Sequence, residues 1–410
     1  MSVNSAGDGA RVPSTAPPAS ATATPAVAAM PWLLLAAGCL GAFAATASGT
    51  TRAPFLLSMS ADLQVSLVLI ANLVSMTATA WGVTSLLAGI AADRWGRRPF
   101  LIGGPLALGL CMVAVAQADD YLRVAIWATL GGACSGLYMG TIFAEVAARA
   151  PSTHRGRALS WVMSGQSLTL VVGVPLAAWV GASLGWRGWH VCLAALAIAG
   201  SLTLWASTRG GATGRGHGGA PAGSFRGAFS APVISLLSMG IAERICYGLV
   251  VIYFATFLQQ EYKASLHDVA IPLVLIAMGN VIGTAAGGPL ADRTRDRLGA
   301  FGLCMAITAF ASLALFAWRP DMVTTVALGF VYSFINALGR PSLMAALADV
   351  PEDVRGTVMG LNGTCASIGW VGAAALGGWM FATQGFAGFG PLSAALALLG
   401  AALAFMRRGR

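Results

Sequence analysis

Long apolar runs, separated by short polar turns, follow one another along almost the whole chain. Twelve of these runs are about as long as the roughly 20 apolar residues that an α-helix needs to cross a bilayer. Only helices and closed barrels satisfy their backbone polar groups in lipid, so the pattern predicts an all-α membrane protein with twelve transmembrane helices. The runs are residues 31–58, 66–92, 99–117, 122–148, 158–182, 188–207, 232–260, 267–291, 299–318, 322–349, 355–380 and 386–406.

Three stretches of the chain lie outside these runs. Residues 1–30 are rich in Ala, Pro, Ser and Thr and predict a disordered N-terminal tail, because so few large apolar side chains cannot form a core. They lack the charged start and apolar centre of a signal peptide. Residues 208–231, rich in Gly, Ala and Arg, predict a cytoplasmic linker between two six-helix bundles at 31–207 and 232–406. Residues 407–410 form a basic C-terminal tail.

The charged residues indicate how these helices are oriented. Of the 410 residues, 57% are hydrophobic and only 10% are charged, which is outside the range of soluble globular domains. The formal net charge is +9, but Lys and Arg do not cluster on one soluble segment, which argues against a nucleic-acid partner. With the N-terminal tail in the cytoplasm, 17 of the 24 Lys and Arg residues lie on the cytoplasmic side and five on the opposite side. This bias predicts that both termini are cytoplasmic.

The turn between the second and third runs combines glycines with charged residues. Gly89 allows two helices to approach closely, and Gly96 permits the backbone to reverse. The spacing resembles the loop signature of the major facilitator superfamily, Gly-x-Leu-x-Asp-Arg-x-Gly-Arg-Arg, with Ala91 in place of the leucine. A basic loop that only sets the topology is the alternative interpretation. The residues that match the signature are Gly89, Asp93, Arg94, Gly96, Arg97 and Arg98.

The second half of the chain repeats the first. Asp292 and Arg293 belong to a second copy of the loop and follow Asp93 and Arg94 by 199 residues. The copy is weaker, because Arg295 stands where the first loop has its second glycine. Duplicated units of this kind are a recurrent plan of secondary transporters. The repeat therefore predicts two pseudo-symmetric six-helix bundles.

With its two loops, its repeat and its linker, the chain is similar to the twelve-helix drug and sugar efflux branch of the superfamily over residues 31–406. The resemblance implies the major facilitator fold, a central cavity lined by helices 1, 4, 7 and 10, and transport rather than catalysis. It implies a monomer without a cofactor, whose partners are a small-molecule substrate, protons and the lipid bilayer. The 23 Arg residues and single Lys are typical of a GC-rich genome, which favours a bacterial inner membrane.

The resemblance also implies a gating role for the two loops. It implies that Asp93 accepts hydrogen bonds from helix 11 and from Arg94 in the outward-facing state, with Asp292 and Arg293 as the second copy. In the superfamily, an acid at the position of Glu145 often joins the network that closes the inner gate. The alternative for Glu145 is a helix-stabilising pair with the arginine four residues later.

Ionisable groups inside the runs are the candidates for chemistry, because each is costly in lipid unless it is paired or faces water. Glu243 and Arg244 lie about 17 Å from the inner end of the seventh run, and Arg340 lies about 14 Å from that of the tenth. The similar depth, near the membrane midplane, predicts an ion pair between Glu243 and Arg340. Tyr247 shares the helix face of Glu243, where it would donate to the carboxylate or pack a helix contact.

The predicted ion pair between Glu243 and Arg340 has two possible roles. In the first, the pair is static and holds the seventh and tenth helices together. In the second, Glu243 exchanges a proton while the cavity arginines, Arg244 and Arg340, hold an anionic group of the substrate. Competition for the cation, or desolvation, would then favour protonation of the acid. Such a switch would couple proton movement to substrate occupancy.

Other polar residues of the runs are further candidates for substrate binding. Gln166, Asn280 and Asn362 lie in cavity-adjacent helices, where they would fix a ligand or form hydrogen bonds between helices. Arg52, near the outer end of the first run, is expected to reach the lipid headgroups. Attraction of anions at the outer mouth is the alternative for Arg52.

The fifth run resembles a degenerate form of the superfamily's antiporter motif, Gly-x8-Gly-x3-Gly-Pro-x2-Gly-Gly. The residues that carry this resemblance are Gly165, Gly173, Pro175 and Gly181, while two alanines replace the glycine pair. Glycine and proline in a membrane helix also serve close packing or a kink, which is the alternative here. The motif therefore favours antiport without establishing its direction.

Three functions follow from these features. The leading hypothesis is a proton-coupled exporter of a small organic compound. The second is a proton symporter that imports an organic anion such as a carboxylate, favoured by the excess of cavity arginines. The third is a non-transporting receptor or scaffold. An enzyme is not expected, because the four His residues are scattered, the seven Cys residues lie singly, and no phosphate loop, metal-ligand or nucleophile pattern occurs.

Overall fold

The computed structural model describes residues 30–151, 154–209, 230–350 and 352–408, and all regular secondary structure in them is helical. The predicted tail and linker lie almost entirely outside these residues. A 3-10 turn (Ala53–Phe55) follows α1, a π-helical turn (Thr169–Gly173) joins α6 to α7, and a 3-10 turn (Gly385–Gly388) precedes α14. The helices are α1 (Trp32–Thr50), α2 (Leu56–Asp62), α3 (Leu67–Trp95), α4 (Arg98–Ala116), α5 (Tyr121–Arg149), α6 (Arg155–Leu168), α7 (Val174–Ser207), α8 (Ala231–Glu261), α9 (Ala270–Arg293), α10 (Arg297–Ala317), α11 (Met322–Leu338), α12 (Arg340–Ala348), α13 (Glu352–Gln384) and α14 (Phe389–Arg407).

Nine segments of the described residues are long and apolar enough to cross a membrane. Two of them, Gly156–Ser207 and Leu361–Arg407, are 52 and 47 residues long, which is enough for two crossings each. α5 is a further helix of 29 residues at the position of the fourth predicted run. The all-α membrane fold is thus confirmed, whereas the count of twelve crossings with both termini in the cytoplasm stays a prediction.

Two glycines reverse the chain inside the two longest segments. Gly185 interrupts α7 with φ +66°, and Gly385 separates α13 from α14 with φ +62°. Residues with a Cβ atom avoid this left-handed region, so glycine suits both turns. Before the first turn, Gly181 lies against the 3-10 turn that follows α1, and after it Gly200 lies beside Gly41 within α1. The two arms of α7 therefore run in opposite directions along α1.

The two halves of the chain pack their helices in the same pattern. α3 packs on α5 and α4 on α7 in the first half, as α9 packs on α11 and α10 on α14 in the second. The halves meet where α3 packs on α13 and where α7 packs on α9. Ser75 Oγ donates to the carbonyl oxygen of Val371 (3.2 Å), and Gln259 Nε2 donates to that of Pro54 (3.1 Å). These contacts lie at the middle and the outer ends of the helices, away from the arginine-rich loops.

Glycines set the spacing of the α3–α5 and α9–α11 pairs. Gly132 and Gly136 of α5 lie against the backbone of α3, and Gly279 and Gly283 of α9 lie against that of α11. A Cβ atom at Gly136 or Gly283 would overlap a carbonyl oxygen of the neighbouring helix. The corresponding helix pair of each half thus uses small residues for close approach, but the glycines lie on opposite partners of the pair.

Aspartates in the turns cap several helices. Asp120 and Asp321 accept a hydrogen bond from the backbone N–H three residues later at 2.9 Å and so begin α5 and α11. Asp296 caps α10 in the same way at 2.7 Å. The backbone N–H of Thr324 lowers the pKa of Asp321, because a hydrogen bond to the ionised carboxylate favours it. Each cap satisfies one of the free donors at a helix start.

Candidate substrate and proton site

Three ionisable side chains meet in the middle of the second half, and we call them the central cluster. Arg340 donates two hydrogen bonds to Oε1 of Glu243, from Nε at 3.0 Å and from Nη2 at 2.6 Å. Arg244 Nε lies 3.5 Å from the other carboxylate oxygen, Oε2. Glu243 is only 1% exposed, so protein groups rather than bulk water compensate its charge. The contact expected between Glu243 and Arg340 is therefore present.

Local breaks and small residues place the central cluster. α8 carries Glu243 and Arg244 near its middle. The tenth predicted run is two helices, because α11 ends before Gly339 and α12 begins at Arg340 with a proline in its first turn. A proline costs little there, since the N–H it lacks has no partner within the helix. Gly369 of α13 lies against the stem of Arg244, where a Cβ atom would overlap it.

The central cluster carries a net positive charge, because two guanidinium groups face one carboxylate. Arg340 makes the short contacts with Glu243 and is 13% exposed, whereas Arg244 makes the long contact and is 27% exposed. Arg244 therefore has donors left for another group. A guanidinium binds carboxylates and other anions with paired N–H donors, so Arg244 is the member of the cluster best placed to contact a ligand.

An aromatic pair covers the outer side of the central cluster. The guanidinium carbon of Arg340 lies 5.5 Å from the ring centroid of Tyr247, within the range of a cation–π contact. Trp370 of α13 meets the same ring edge-on at 6.4 Å. The expected hydrogen bond from Tyr247 to Glu243 is absent, and the buried hydroxyl has no partner among the described residues. Arg340 contacts both the ring and the carboxylate, and the alternative for Tyr247, packing in a helix contact, is the arrangement observed.

A small cavity lies near the central cluster, beside Tyr247. It has a volume of about 20 Å³, room for about one water molecule, and lies between the halves one to two turns beyond Glu243. Arg244 is 27% exposed, so the cluster is not sealed from solvent on every side. The cavity is lined by Leu170, Val174, Tyr247, Val250, Val251, Leu273, Ile276 and Ala277.

Among the described residues, the other polar candidates form no hydrogen bond to the central cluster. Gln166 of α6 is half-buried, and Asn280 of α9 is buried with its Nδ2 unpartnered among the described residues. Asn362 of α13 donates to the sulfur of Met344 at 3.7 Å. Sequence reasoning missed Asn336, which is fully buried with neither amide atom hydrogen-bonded in the described part of the chain. Its position four residues before Arg340 was the signal that could have found it.

Arg52 does not reach the membrane surface, so that expectation was wrong. Its side chain is 1% exposed, and Nη1 donates to Thr77 Oγ1 of α3 at 2.9 Å. Nε and Nη2 have no partner among the described residues. The reason is local: α1 ends just before Arg52, and the 3-10 turn that follows directs the side chain inward against α3.

On the arginine-rich side of the first half, Glu145 lies between two arginines. Arg149 Nε is 2.6 Å from Oε1 and Arg97 Nη1 is 3.6 Å from Oε2, while Arg97 also donates to the carbonyl oxygen of Ala144 at 3.2 Å. Glu145 is 1% exposed. Glu145 therefore contacts both Arg149 of its own helix and Arg97 of the loop motif. Its gating role stays a prediction.

The remaining residues of the first loop mainly shape the turn. Gly96 has φ +80° and ends α3, so it permits the backbone reversal as predicted. Arg94 is exposed, with its guanidinium carbon 5.5 Å from the neighbouring tryptophan ring, and Arg98 begins α4. The side-chain surroundings of Gly89 and Asp93 lie outside the described part of the structure, so the contact expected between Asp93 and helix 11 stays a prediction.

The second copy of the loop is more open than the first. Asp292 and Arg293 are both exposed. Arg297 pairs with Asp349, which is 66% exposed, in contrast to the buried acid of the first half. The weaker sequence match of this loop thus accompanies a more solvated set of contacts.

The glycines of the fifth run pack against α1. A Cβ atom at Gly165 would overlap the carbonyl oxygen of Cys39, and Gly173 lies against the ring of Phe43. The π-helical turn ends at Gly173, shortly before Pro175, and Thr169 Oγ1 donates to the carbonyl oxygens of Phe43 and Gly165 at 3.1 Å each. This packing supports the structural use of the residues that resemble the antiporter motif.

Comparison with known proteins agrees with this architecture. The model of the Major Facilitator Superfamily matches residues 38–256 and 236–410. The uncharacterized MFS-type transporter YwfA of Bacillus subtilis is 24% identical over 379 residues, which is 90% of each chain. A chloramphenicol resistance protein of Streptomyces lividans is 28% identical over 316 residues, 75% of this chain and 79% of that one.

A solved structure shows the same fold. It is a bacterial homologue of the human lysosomal transporter Spinster, in an inward-facing and occupied conformation. The two chains superpose with a TM-score of 0.75 at 17% identity, covering 92% of this chain and 96% of the other.

Proposed function

Because the chain belongs to the Major Facilitator Superfamily, and is therefore a bacterial inner-membrane transporter rather than an enzyme, we propose that it exports a small organic compound in exchange for protons. The observation that carries the proposal is the central cluster, in which Glu243 is buried between Arg340 and Arg244. A buried acid whose partners can also bind another anion is suited to coupling two ligands.

The coupling rests on competition for the carboxylate of Glu243. While Glu243 is ionised, Arg340 holds it with two hydrogen bonds. A substrate that places an electron-rich group on Arg244 and donates a hydrogen bond to the ionised carboxylate favours the ionised form. Protonation of Glu243 weakens that hydrogen bond and displaces the substrate, and loss of the proton restores the site. Proton and substrate thereby occupy the site in turn, as antiport requires.

Alternating access would move this site from one side of the membrane to the other. The two halves rock about the central cluster, and a ligand drives the change only by its different affinity for the two states. The loops with Arg97 and Arg293 would latch the inner side when the outer side opens. The contacts between Ser75 and Val371 and between Gln259 and Pro54 are the ones that must then separate.

Export is the preferred direction because of one relative. This relative is a chloramphenicol resistance protein, a name that describes protection from a small organic compound. The residues that resemble the antiporter motif pack beside α1, and Gly181 also lies near Leu266 of the second half. Chloramphenicol is therefore the first compound to test as a substrate.

The second candidate is proton-coupled uptake of an organic anion such as a carboxylate. It is favoured by the two arginines that face one glutamate in the central cluster, since the surplus charge suits an anionic ligand. Direction separates the two functions: cells that lack the protein would accumulate an exported compound, or fail to grow on an imported one. A metabolite comparison of the two strains supplies candidate substrates.

The test of the proton role is Glu243→Gln in proteoliposomes with an imposed pH gradient, followed with labelled chloramphenicol and an internal pH-sensitive dye. Gradient-driven flux is expected to disappear, while exchange of labelled for unlabelled compound survives. Glu261→Gln is the matched control, because Glu261 lies on the same helix but pairs with Arg319 near the surface. Full gradient-driven transport by Glu243→Gln contradicts the proposal. A receptor or scaffold predicts no flux in the unmodified protein.

A further inference from the structure

The inner end of the second half contains a charged pocket apart from the central cluster. Its volume is about 510 Å³, and it lies between the start of α8, the turn from α9 to α10, and the ends of α12 and α14. Five arginines and three aspartates line it, which leaves a net charge of +2. The pocket is therefore a place where an anion is attracted.

Two of the five arginines are free to bind such an anion. Arg297 pairs with Asp349, Arg408 pairs with Asp296, and Arg407 Nη1 donates to a backbone carbonyl oxygen at 2.8 Å. The other two, Arg293 and Arg295, are exposed and form no ion pair within the described residues. Paired N–H donors of this kind match the oxygens of a phosphate group.

The surroundings of the pocket indicate where the phosphate comes from. The adjoining helices expose large apolar side chains to the membrane, among them Leu303 and Phe310 of α10 and Phe405 and Met406 of α14. The pocket also lies on the arginine-rich side, which by the positive-inside rule faces the anionic headgroups of the cytoplasmic leaflet. A headgroup in the pocket would leave its acyl chains against these apolar faces.

We propose that this pocket binds the phosphate headgroup of an anionic phospholipid, with Arg293 and Arg295 as its ligands. At the repeat offset of 199 residues, Arg293 corresponds to the exposed Arg94, but Arg295 corresponds to Gly96, so the first half presents only one such arginine at this place. The pair of arginines is thus a property of the second half. Lipid binding by this pair is independent of the substrate and of the proton role of the central cluster.

Native mass spectrometry of the purified protein tests the proposal, with dioleoyl phosphatidylglycerol and dioleoyl phosphatidylcholine as probes. The unmodified protein is expected to retain phosphatidylglycerol in preference to phosphatidylcholine. The double variant Arg293→Gln/Arg295→Gln is expected to bind phosphatidylglycerol about 25-fold more weakly, since each arginine near an anionic surface contributes about five-fold. Unchanged affinity in this variant overturns the proposal.

The matched control is Arg157→Gln/Arg209→Gln, which removes two exposed arginines from the same side of the first half. It is expected to retain the preference for phosphatidylglycerol, and an equal loss in the control means that only net charge matters, which also overturns the proposal. Inorganic phosphate is the third probe. If it binds as tightly as phosphatidylglycerol, the ligand is a soluble anion and the lipid assignment fails.

Discussion

At the centre of the membrane, the two halves present different chemistry on the same scaffold. At the repeat offset of 199 residues, Glu243 and Arg244 correspond to Ala44 and Ala45 of α1, which are both buried. Close by, Tyr138 of α5 donates its hydroxyl to a carbonyl oxygen of α1 at 3.1 Å. At the positions that correspond to the central cluster, the first half thus has small and neutral groups, while the second half keeps three ionisable ones. The duplication therefore preserves the helix packing and leaves the chemistry to one half.

At the inner ends of the helices the contrast is reversed, because there the first half has the buried charges and the second half the exposed ones. Glu145 of the first half is buried between Arg97 and Arg149. In the second half, Asp349 is exposed beside Arg297 and borders an open pocket. The first half thus keeps its buried ion pairs at the loop, whereas the second keeps them at the centre. This division is consistent with a gate in the first half and a binding site in the second.

The largest effect on stability is expected from Arg340→Met. The substitution leaves the buried carboxylate of Glu243 with only its long contact to Arg244, and removing one partner of a buried pair costs about 3 to 5 kcal/mol. The free energy of unfolding in detergent measures this loss. The double variant Glu243→Met/Arg340→Met is expected to recover most of it. If the double variant is as unstable as the single one, Arg340 acts through packing and the charge argument is wrong.

A smaller effect is expected at the inner end of the first half. Glu145→Gln leaves two arginines without their acid, and we expect a loss of about 2 kcal/mol, below the range for fully buried pairs because both arginines are partly exposed. Asp349→Asn is the matched change in the second half and is expected to cost less than about 1 kcal/mol, as for surface pairs. Thermal unfolding of both variants gives the comparison. Equal losses would mean that burial does not distinguish the two ends.

Much of this contrast could be predicted from the sequence. Most apolar runs coincide with helices, although the tenth is two helices and α7 covers part of the fifth and all of the sixth, and counting residues from the inner ends placed Glu243 and Arg340 at one depth. The i+4 spacing also indicated the pair of Glu145 with Arg149. These predictions succeed because depth along a helix depends only on its fixed rise.

What the sequence could not predict is the direction in which side chains point. Arg52 lies at the expected height but turns inward, because the 3-10 turn after α1 changes the rotation of the chain. The hydroxyl of Tyr247 has no partner among the described residues, while Arg340, from another helix, holds the carboxylate of Glu243. Asn336 has a signal in its spacing from Arg340, but its complete burial follows only from how α11 packs. Helix rotation and inter-helix packing decide these contacts, and a single sequence encodes them only through the whole fold.

The packing that both halves share can be tested with alanine in place of glycine. Gly136→Ala and Gly283→Ala are each expected to destabilise the protein by about 1 to 2 kcal/mol, because the added methyl group overlaps the neighbouring backbone. Gly103→Ala and Gly363→Ala are the controls, since no atom lies within 4 Å of a Cβ built at either position. The controls are expected to be neutral or slightly stabilising, because alanine favours the helix. Differential scanning calorimetry of all four variants separates the effect of steric overlap on stability from the effect of helix propensity.

The smallest effect is expected at Arg52, whose counterpart at the repeat offset is Val251. Unlike Arg340, this buried arginine has no acidic partner among the described residues and donates only to Thr77. Replacing a poorly compensated buried charge with an apolar side chain of similar length is often neutral or stabilising. Arg52→Met is therefore expected to change the free energy of unfolding by less than about 1 kcal/mol, measured beside Arg340→Met in the same detergent. A loss as large as that of Arg340→Met would show that Arg52 has a compensating partner, and the two halves would then be alike in how they hold buried charge.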